Sequence, residues 1–314
     1  MTNSNFNFDN WSHQYHHTSD GTRIFYSTNF KISEFNPVKM LLAFNYGLVC
    51  SNNHWIKQIP YFHEQGFQII THDYRGHFNS SGSDKIESIT FKNMAQDQVE
   101  ILESLQAQNV VLLGHSMGVN TALELARKNP KYLKGMVLIS GTVIPPQSVM
   151  FYSNIVEQIT PLWVKLSQNY PKFYQKFWQF GGWIPWFTKA IRRGGFNENM
   201  VPLEFVEIYL NRMGQLKPEV FFQCFQEMHD HDVINDLDKI NIPALVMGGD
   251  NDQVIPNHLQ QILIDKLPKS EFYIIQDGSH VPQVDFADTV NERITLFIQS
   301  ILNQEKKGPK QLPL

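Results

Sequence analysis

The chain has 314 residues, 42% hydrophobic and 13% aromatic, enough to bury a sizeable core in one large domain carrying an insertion. With 26 basic and 30 acidic side chains the formal net charge is -4, which removes the electrostatic basis for nucleic acid as a main partner. Two cysteines, Cys50 and Cys224, are too few for a disulfide framework and stand in no metal-binding or redox spacing.

In chain order, residues 1–20 are polar and rich in Asn and His, without a basic stretch leading into an apolar one, so no signal peptide is expected. The turn pair Asp20-Gly21 leads into an early strand at Arg23–Ser27. Buried strands follow at Met40–Phe44 and, after a helix beginning near Trp55, at Phe67–Thr71. Met94, Val99, Ile101, Leu102 and Leu105 give a helix over Asn93–Gln106. The strand Val110–Leu113 runs into Gly114. The helix Thr121–Arg127 stops before Pro130. Strands at Met136–Ser140, Ala244–Met247 and Glu271–Ile275 and a helix at Thr289–Leu302 complete the pattern.

Short apolar runs alternating with helical patterns predict βα units and a mainly parallel sheet. The rhythm stops between Gly141 and Asp236. That stretch is helical in pattern, broken by prolines and crowded with Phe173, Tyr174, Phe177, Trp178, Phe180, Trp183, Trp186 and Phe187. The resulting division is a polar segment at 1–20, an α/β core at 21–141 and 238–302, a helical cap insertion at 142–237, and a polar tail at 303–314. The cap is expected over the carboxyl edge of the sheet, where open α/β sheets hold ligands.

Gly114-His115-Ser116-Met117-Gly118 fits G-x-S-x-G, and its context gives the match weight. An apolar strand precedes it and a helix follows, as a strand–turn–helix elbow requires. Ser116 is then a nucleophile held at a helix N-terminus, where free N–H groups favour an anion. From about Gly21 to the end of the last helix the chain resembles the α/β-hydrolase superfamily. The matching order is an oxyanion loop, Asp73-Tyr74-Arg75-Gly76-His77, the elbow, an insertion, an acid loop and a late His. The Asp73–His77 segment is structural in such proteins, so Asp73 and His77 receive no catalytic role.

A serine hydroxyl needs a base within hydrogen-bond reach. His280, in Asp277-Gly278-Ser279-His280, follows the last strand, and the order Ser, acid, His is the one this fold uses. Gly248-Gly249-Asp250-Asn251-Asp252 offers two carboxylates. The resemblance implies Asp252, three residues after Gly249 and four before Pro256, with Asp250 closing the turn or facing solvent. The implied oxyanion donors are the backbone N–H groups of Leu48 and Met117. Two departures stand out. Tyr46 precedes Gly47 where the family usually has His, and Val119 occupies a position where a third Gly is common.

The reading is a serine hydrolase cleaving a small-molecule carboxylic ester with an apolar acyl or aromatic part, through an acyl-enzyme on Ser116. Lactone, thioester, amide or carbon–carbon hydrolysis, acyl transfer and a peroxidase-like side activity use the same triad, and a non-catalytic receptor on a hydrolase fold is a further alternative. No cofactor or metal is implied. His13, His16 and His17, like His229 and His231, lack the ligand spacing of a known site. No run of about 18 apolar residues occurs, so no transmembrane helix is expected. Trp183–Phe187 with Arg192-Arg193 is a candidate for touching a membrane surface. A cytoplasmic monomer or homodimer is the corresponding expectation.

Overall fold

The structure, a computed structural model, describes residues 11–152, 155–180 and 185–307. Its frame is an eight-stranded sheet built from β1 (Ser12–His17), β2 (Arg23–Thr28), β3 (Leu41–Asn45), β4 (Gln68–His72), β5 (Val110–His115), β6 (Leu133–Ile139), β7 (Ala244–Gly249) and β8 (Ser270–Ile275). The order across the sheet is β1-β2-β4-β3-β5-β6-β7-β8. β1 and β2 run antiparallel, β2 pairs antiparallel with β4, and the six strands from β4 to β8 are parallel.

Period-two alternation splits the core into two layers. Leu41 and Ala43 of β3, Val110 and Leu112 of β5, and Met136 and Leu138 of β6 face one side. There they meet α2 (Phe91–Ser104) and α3 (Met117–Lys128). Leu42, Phe44, Val111, Leu113, Val137 and Ile139 face the other, against α1 (Gln58–Glu64) and the long C-terminal helix Ala287–Lys307. Burial on both faces explains why these strands read as unbroken apolar runs rather than alternating ones.

Ser12–His17 lies in the stretch read from sequence as a polar lead-in, yet it forms the edge strand. Its residues are mostly exposed, so no apolar alternation announces it. Backbone pairing to β2 holds it, with the rings of His13 and Tyr15 packed on Phe25 and Arg23 over the Tyr15 ring. The loop after β4 is fastened as the Asp73–His77 segment implied. Arg75 grips Asp97 of α2 through two bonds of 2.8 and 2.6 Å and reaches Asp20 at 2.9 Å.

Between β6 and β7 the chain leaves the sheet for five helices, α4 (Ile155–Asn169), α5 (Pro171–Phe180), α6 (Pro185–Gly195), α7 (Leu203–Gln215) and α8 (Pro218–Asp230). It returns to α9 (Asn257–Lys266) after β7, then α10 (Pro282–Asp285) and α11 (Ala287–Lys307). Inside the insertion Tyr174, Trp178, Phe196, Phe205, Val206, Leu210 and Met213 make a core of their own that also takes in Val281 and Val284. Trp183 lies outside the described residues, as do the side chains of Trp186 and Phe187. Among the described residues no helix is long and apolar enough to cross a membrane, and no group of three His, Cys, Asp or Glu is placed to hold a metal ion.

Candidate active site

Four loops at the carboxyl ends of parallel strands converge on one point. Ser116 follows β5 and caps α3 with φ 54° and ψ -122°, a strained conformation for a non-glycine residue. Its N–H donates to the Ile139 carbonyl at 2.9 Å and its carbonyl accepts from Val119 at 2.9 Å, so the backbone on both sides fixes the turn. Close approach of the loop after β3 requires glycine. A Cβ on Gly118 would collide with the Asn45 carbonyl, and one on Gly47 would stand 2.8 Å from Ser116 Cβ.

The Ser116 hydroxyl donates to His280 Nε2 at 3.1 Å. His280 Nδ1–H in turn donates to Asp252, 3.0 Å from Oδ2 and 3.1 Å from Oδ1. Asp252 is buried, and its Oδ1 also accepts from the N–H groups of Val254 at 2.9 Å and Ile255 at 2.8 Å. These donors stabilise the charged carboxylate and fix its orientation. Asp250, the other carboxylate of the loop, is exposed and does not reach His280. Of the two it is Asp252 that meets His280.

Leu48 lines the cavity beside Ser116, and Met117 opens α3, whose first N–H groups have no intrahelical acceptor. The Tyr46 phenol turns away from the site. Its Oη accepts from the Tyr74 N–H at 3.1 Å while Tyr74 Oη donates to the Tyr46 carbonyl at 3.0 Å, and the rings pack 4.6 Å apart. Replacement of His by Tyr at this position therefore changes the core beneath the loop, not the lining of the cavity.

Two further histidines were not singled out from sequence. His115 Nε2–H donates to the His280 carbonyl at 2.8 Å, tying the loop after β8 to the turn after β5. His54 lies in a short turn after β3, its ring 6.0 Å from His115 and 5.5 Å from Tyr209, and neither of its nitrogens has a hydrogen-bond partner. Burial first, then the neighbouring His280, drives the His115 pKa well below 6.5, and burial takes that of His54 down to about 3. Both rings are thus neutral at physiological pH. The identity of the middle residue in G-His-S was a possible signal for His115; His54 had none. Asp285, at the end of α10, accepts from the Ser279 N–H at 2.7 Å and holds the residue before His280. Burial raises its pKa to about 6.

Above these groups is a cavity of about 350 Å3. Its floor is Ser116, His115, His280 and Leu48; its roof comes from the insertion, chiefly Trp163, Tyr174, Trp178, Phe221, Phe222 and Phe225. The family model for the alpha/beta hydrolase fold matches residues 41–287, most of the chain. The chain belongs to the alpha/beta hydrolase family. This alpha/beta hydrolase is 28% identical over 292 residues to the bifunctional esterase/perhydrolase DCH of Acinetobacter calcoaceticus, covering 90% of this chain and 98% of that protein. It is also 28% identical over 267 residues to a non-heme chloroperoxidase of Streptomyces lividans, covering 81% and 85% of the two chains. Among solved structures the esterase EaEST from Exiguobacterium antarcticum superposes with a TM-score of 0.71 at 18% identity, covering 91% of this hydrolase and 98% of that chain, a likeness of fold.

Proposed function

We propose that this alpha/beta hydrolase cleaves carboxylic esters of small molecules with an apolar acyl or aromatic part, through an acyl-enzyme on Ser116. The observation that carries the reading is the unbroken relay Asp252–His280–Ser116 opening onto a cavity walled by rings. His280 Nε2 takes the Ser116 proton as Oγ attacks the ester carbonyl carbon. The N–H groups of Leu48 and Met117 receive the oxyanion, each such donor being worth about 10²–10³ in rate. His280 then returns the proton to the departing alkoxide, and the alcohol leaves. In the second half His280 deprotonates a water that attacks the acyl carbon, and collapse frees the carboxylic acid and restores Ser116. Asp252 holds the Nδ1–H tautomer and stabilises the imidazolium without taking a proton. The neutral His54 and His115 leave His280 as the histidine that cycles its charge.

Walls of this kind suit an apolar group, while polar atoms fix its orientation. The Tyr174 hydroxyl is buried at the cavity without a protein partner, so a substrate with one polar atom away from the scissile ester fits better than a plain alkyl chain. The relatives support one additional reading of the same acyl-enzyme. Attack by hydrogen peroxide in place of water would yield a peracid, in keeping with the perhydrolase in the name of the Acinetobacter protein.

The test is hydrolysis of p-nitrophenyl esters of graded acyl length together with labelling by a fluorophosphonate. Turnover by wild type, labelling at Ser116, and losses of at least about a thousandfold in Ser116→Ala and His280→Ala are expected. A folded wild type that neither turns over nor labels would put a ligand-binding role in place of catalysis. Halide oxidation with acetate and peroxide, abolished in Ser116→Ala, would add the peracid route.

A further inference from the structure

α5 carries a broad apolar arc that runs from the inside of the insertion to its surface. Tyr174 and Trp178 point inward, with Trp178 Nε1–H donating to the Met213 carbonyl at 2.9 Å and both rings facing the cavity over Ser116. On the outside Phe173 is 74% exposed and Phe180 61%. The inward rings fill only one edge of that arc, so its outer edge is left without a partner in the fold. The outer stripe continues along α4 and its junction with α5, where Leu162, Leu166 and Tyr170 are exposed at helical spacing. Five of the thirteen large apolar side chains exposed among the described residues fall between Leu162 and Phe180. Such clustering marks an interaction surface, where single exposed residues would not.

Charge says what kind of surface. From Ile155 to Gly195 the sequence carries Lys165, Lys172, Lys176, Lys189, Arg192 and Arg193 against a single acid, Glu157, although the chain as a whole is net acidic. Lys165, Lys172 and Lys176 are exposed on the same two helices as the apolar stripe. Exposed rings and aliphatics rimmed by lysines suit the boundary between acyl chains and anionic headgroups. The stripe is also joined to the reaction site. Trp163 and Tyr174 line both the cavity over Ser116 and a shallow outer groove formed with Leu166, Tyr170, Phe173 and Phe177.

We propose that the α4–α5 face seats on an anionic lipid bilayer and that apolar esters pass from the bilayer between Trp163 and Tyr174 to Ser116. The seating stands on exposure and charge alone; the passage of substrate rests on the ester-hydrolase reading above.

Sedimentation with vesicles tests the seating independently of catalysis. Wild type and Ser116→Ala are mixed with vesicles of phosphatidylcholine alone or with about 30% phosphatidylglycerol, at low and high salt. Both proteins are expected to bind the anionic vesicles at least about tenfold better than the neutral ones, and to release at high salt. Lys172→Glu with Lys176→Glu, and separately Phe173→Ser with Phe180→Ser, are expected to lose about tenfold in binding. Their melting temperatures and their turnover of a short soluble ester should match wild type. Folded wild type that stays in the supernatant with both vesicle types, or patch variants that bind as wild type does, would overturn the proposal. So would patch variants that convert a dimer to a monomer without changing vesicle binding, because a second copy would then be the occupant. If wild type binds but hydrolyses nothing, the seating survives and the ester reading fails.

Discussion

The carboxyl edge of the sheet and the helical insertion above it are held by different forces. At the edge the positions of Ser116, Asp252 and His280 are set by hydrogen bonds to backbone groups. Ser116 is fixed by Ile139 and Val119, Asp252 by Val254 and Ile255, and His280 by His115 through its carbonyl. Beneath them Asn45 and Gln98 exchange two amide bonds of 3.0 and 3.1 Å. The roof is held by rings. Phe221 stands 4.8 Å from Trp178 and 5.8 Å from Phe225, and Tyr174 is 6.2 Å from Trp178. Its polar ties to the core lie at the margins, with His231 bridging Asn120 and Glu124 on α3, Glu227 accepting from the Phe91 N–H, and Asn197 reaching the Asp277 carbonyl. Directional bonds tolerate little displacement, whereas dispersion contacts between rings can be remade in another arrangement. Substitutions at the edge should therefore change rate for every substrate, and substitutions in the roof should change which substrate is preferred.

The sharpest break in that contrast is Asp252→Asn. It preserves shape but presents an amide that can donate to Nδ1, favouring the wrong tautomer of His280. A fall in kcat of about 10⁴, equal for short and long esters, is expected with the melting temperature little changed. A fall that depended on acyl length would mean that the carboxylate acts through the cavity wall instead. Gly47→Ala comes next. The added methyl would press on Ser116 Cβ and displace the Leu48 N–H, and the expected loss is that of one oxyanion donor, about 10²–10³ in kcat with KM nearly unchanged. Unaltered kcat would remove Leu48 from the oxyanion site.

In the roof, Phe221→Leu should leave the rate of fluorophosphonate labelling at Ser116 intact and shift the ratio of kcat/KM for long over short esters by about tenfold. Equal loss on all esters would show that the ring supports the edge, and the division between the two regions would fail at that point.

The same division decides what the sequence could tell. That Ser116, Asp252 and His280 would meet was legible because the roles proposed for them demand fixed residue types in a fixed order on strand ends, and glycine spacing marks the elbow. In the sequence only the distance to Gly249 and Pro256 separates Asp252 from Asp250; in the fold the first is buried against His280 and the second is exposed. Strand β1 was hidden because an edge strand held by backbone pairing needs no apolar alternation. His54 was hidden because a histidine in a short turn has no period or spacing that separates a cavity wall from a surface. The aromatic richness of the insertion was visible, but which rings turn inward depends on how five helices pack, and Tyr174 and Phe173 are sequence neighbours with opposite fates.

The smallest expected effect at neutral pH sharpens the contrast from below the site. His77 is fully buried, its Nδ1–H donates to the Arg75 carbonyl at 3.1 Å, and its Nε2 has no partner. A proton added at Nε2 would be a buried charge without an acceptor, and burial accordingly lowers the pKa from 6.5 to about 4. Between these values the unfolded chain takes up a proton that the folded chain refuses, so this residue makes stability fall as pH drops from about 6.5 to about 4, by at most ~1.4 kcal/mol per pH unit, and adds no further slope below that. His77→Phe keeps a ring among Tyr46, Tyr74 and Phe78 and removes the titration. Denaturant unfolding of both proteins across this window should show wild type losing ground to the variant as pH falls, with turnover of esters at pH 7 the same in each. Parallel stability curves would mean that His77 is protonated in the fold, and the reading of a neutral ring buried beneath the edge would fail.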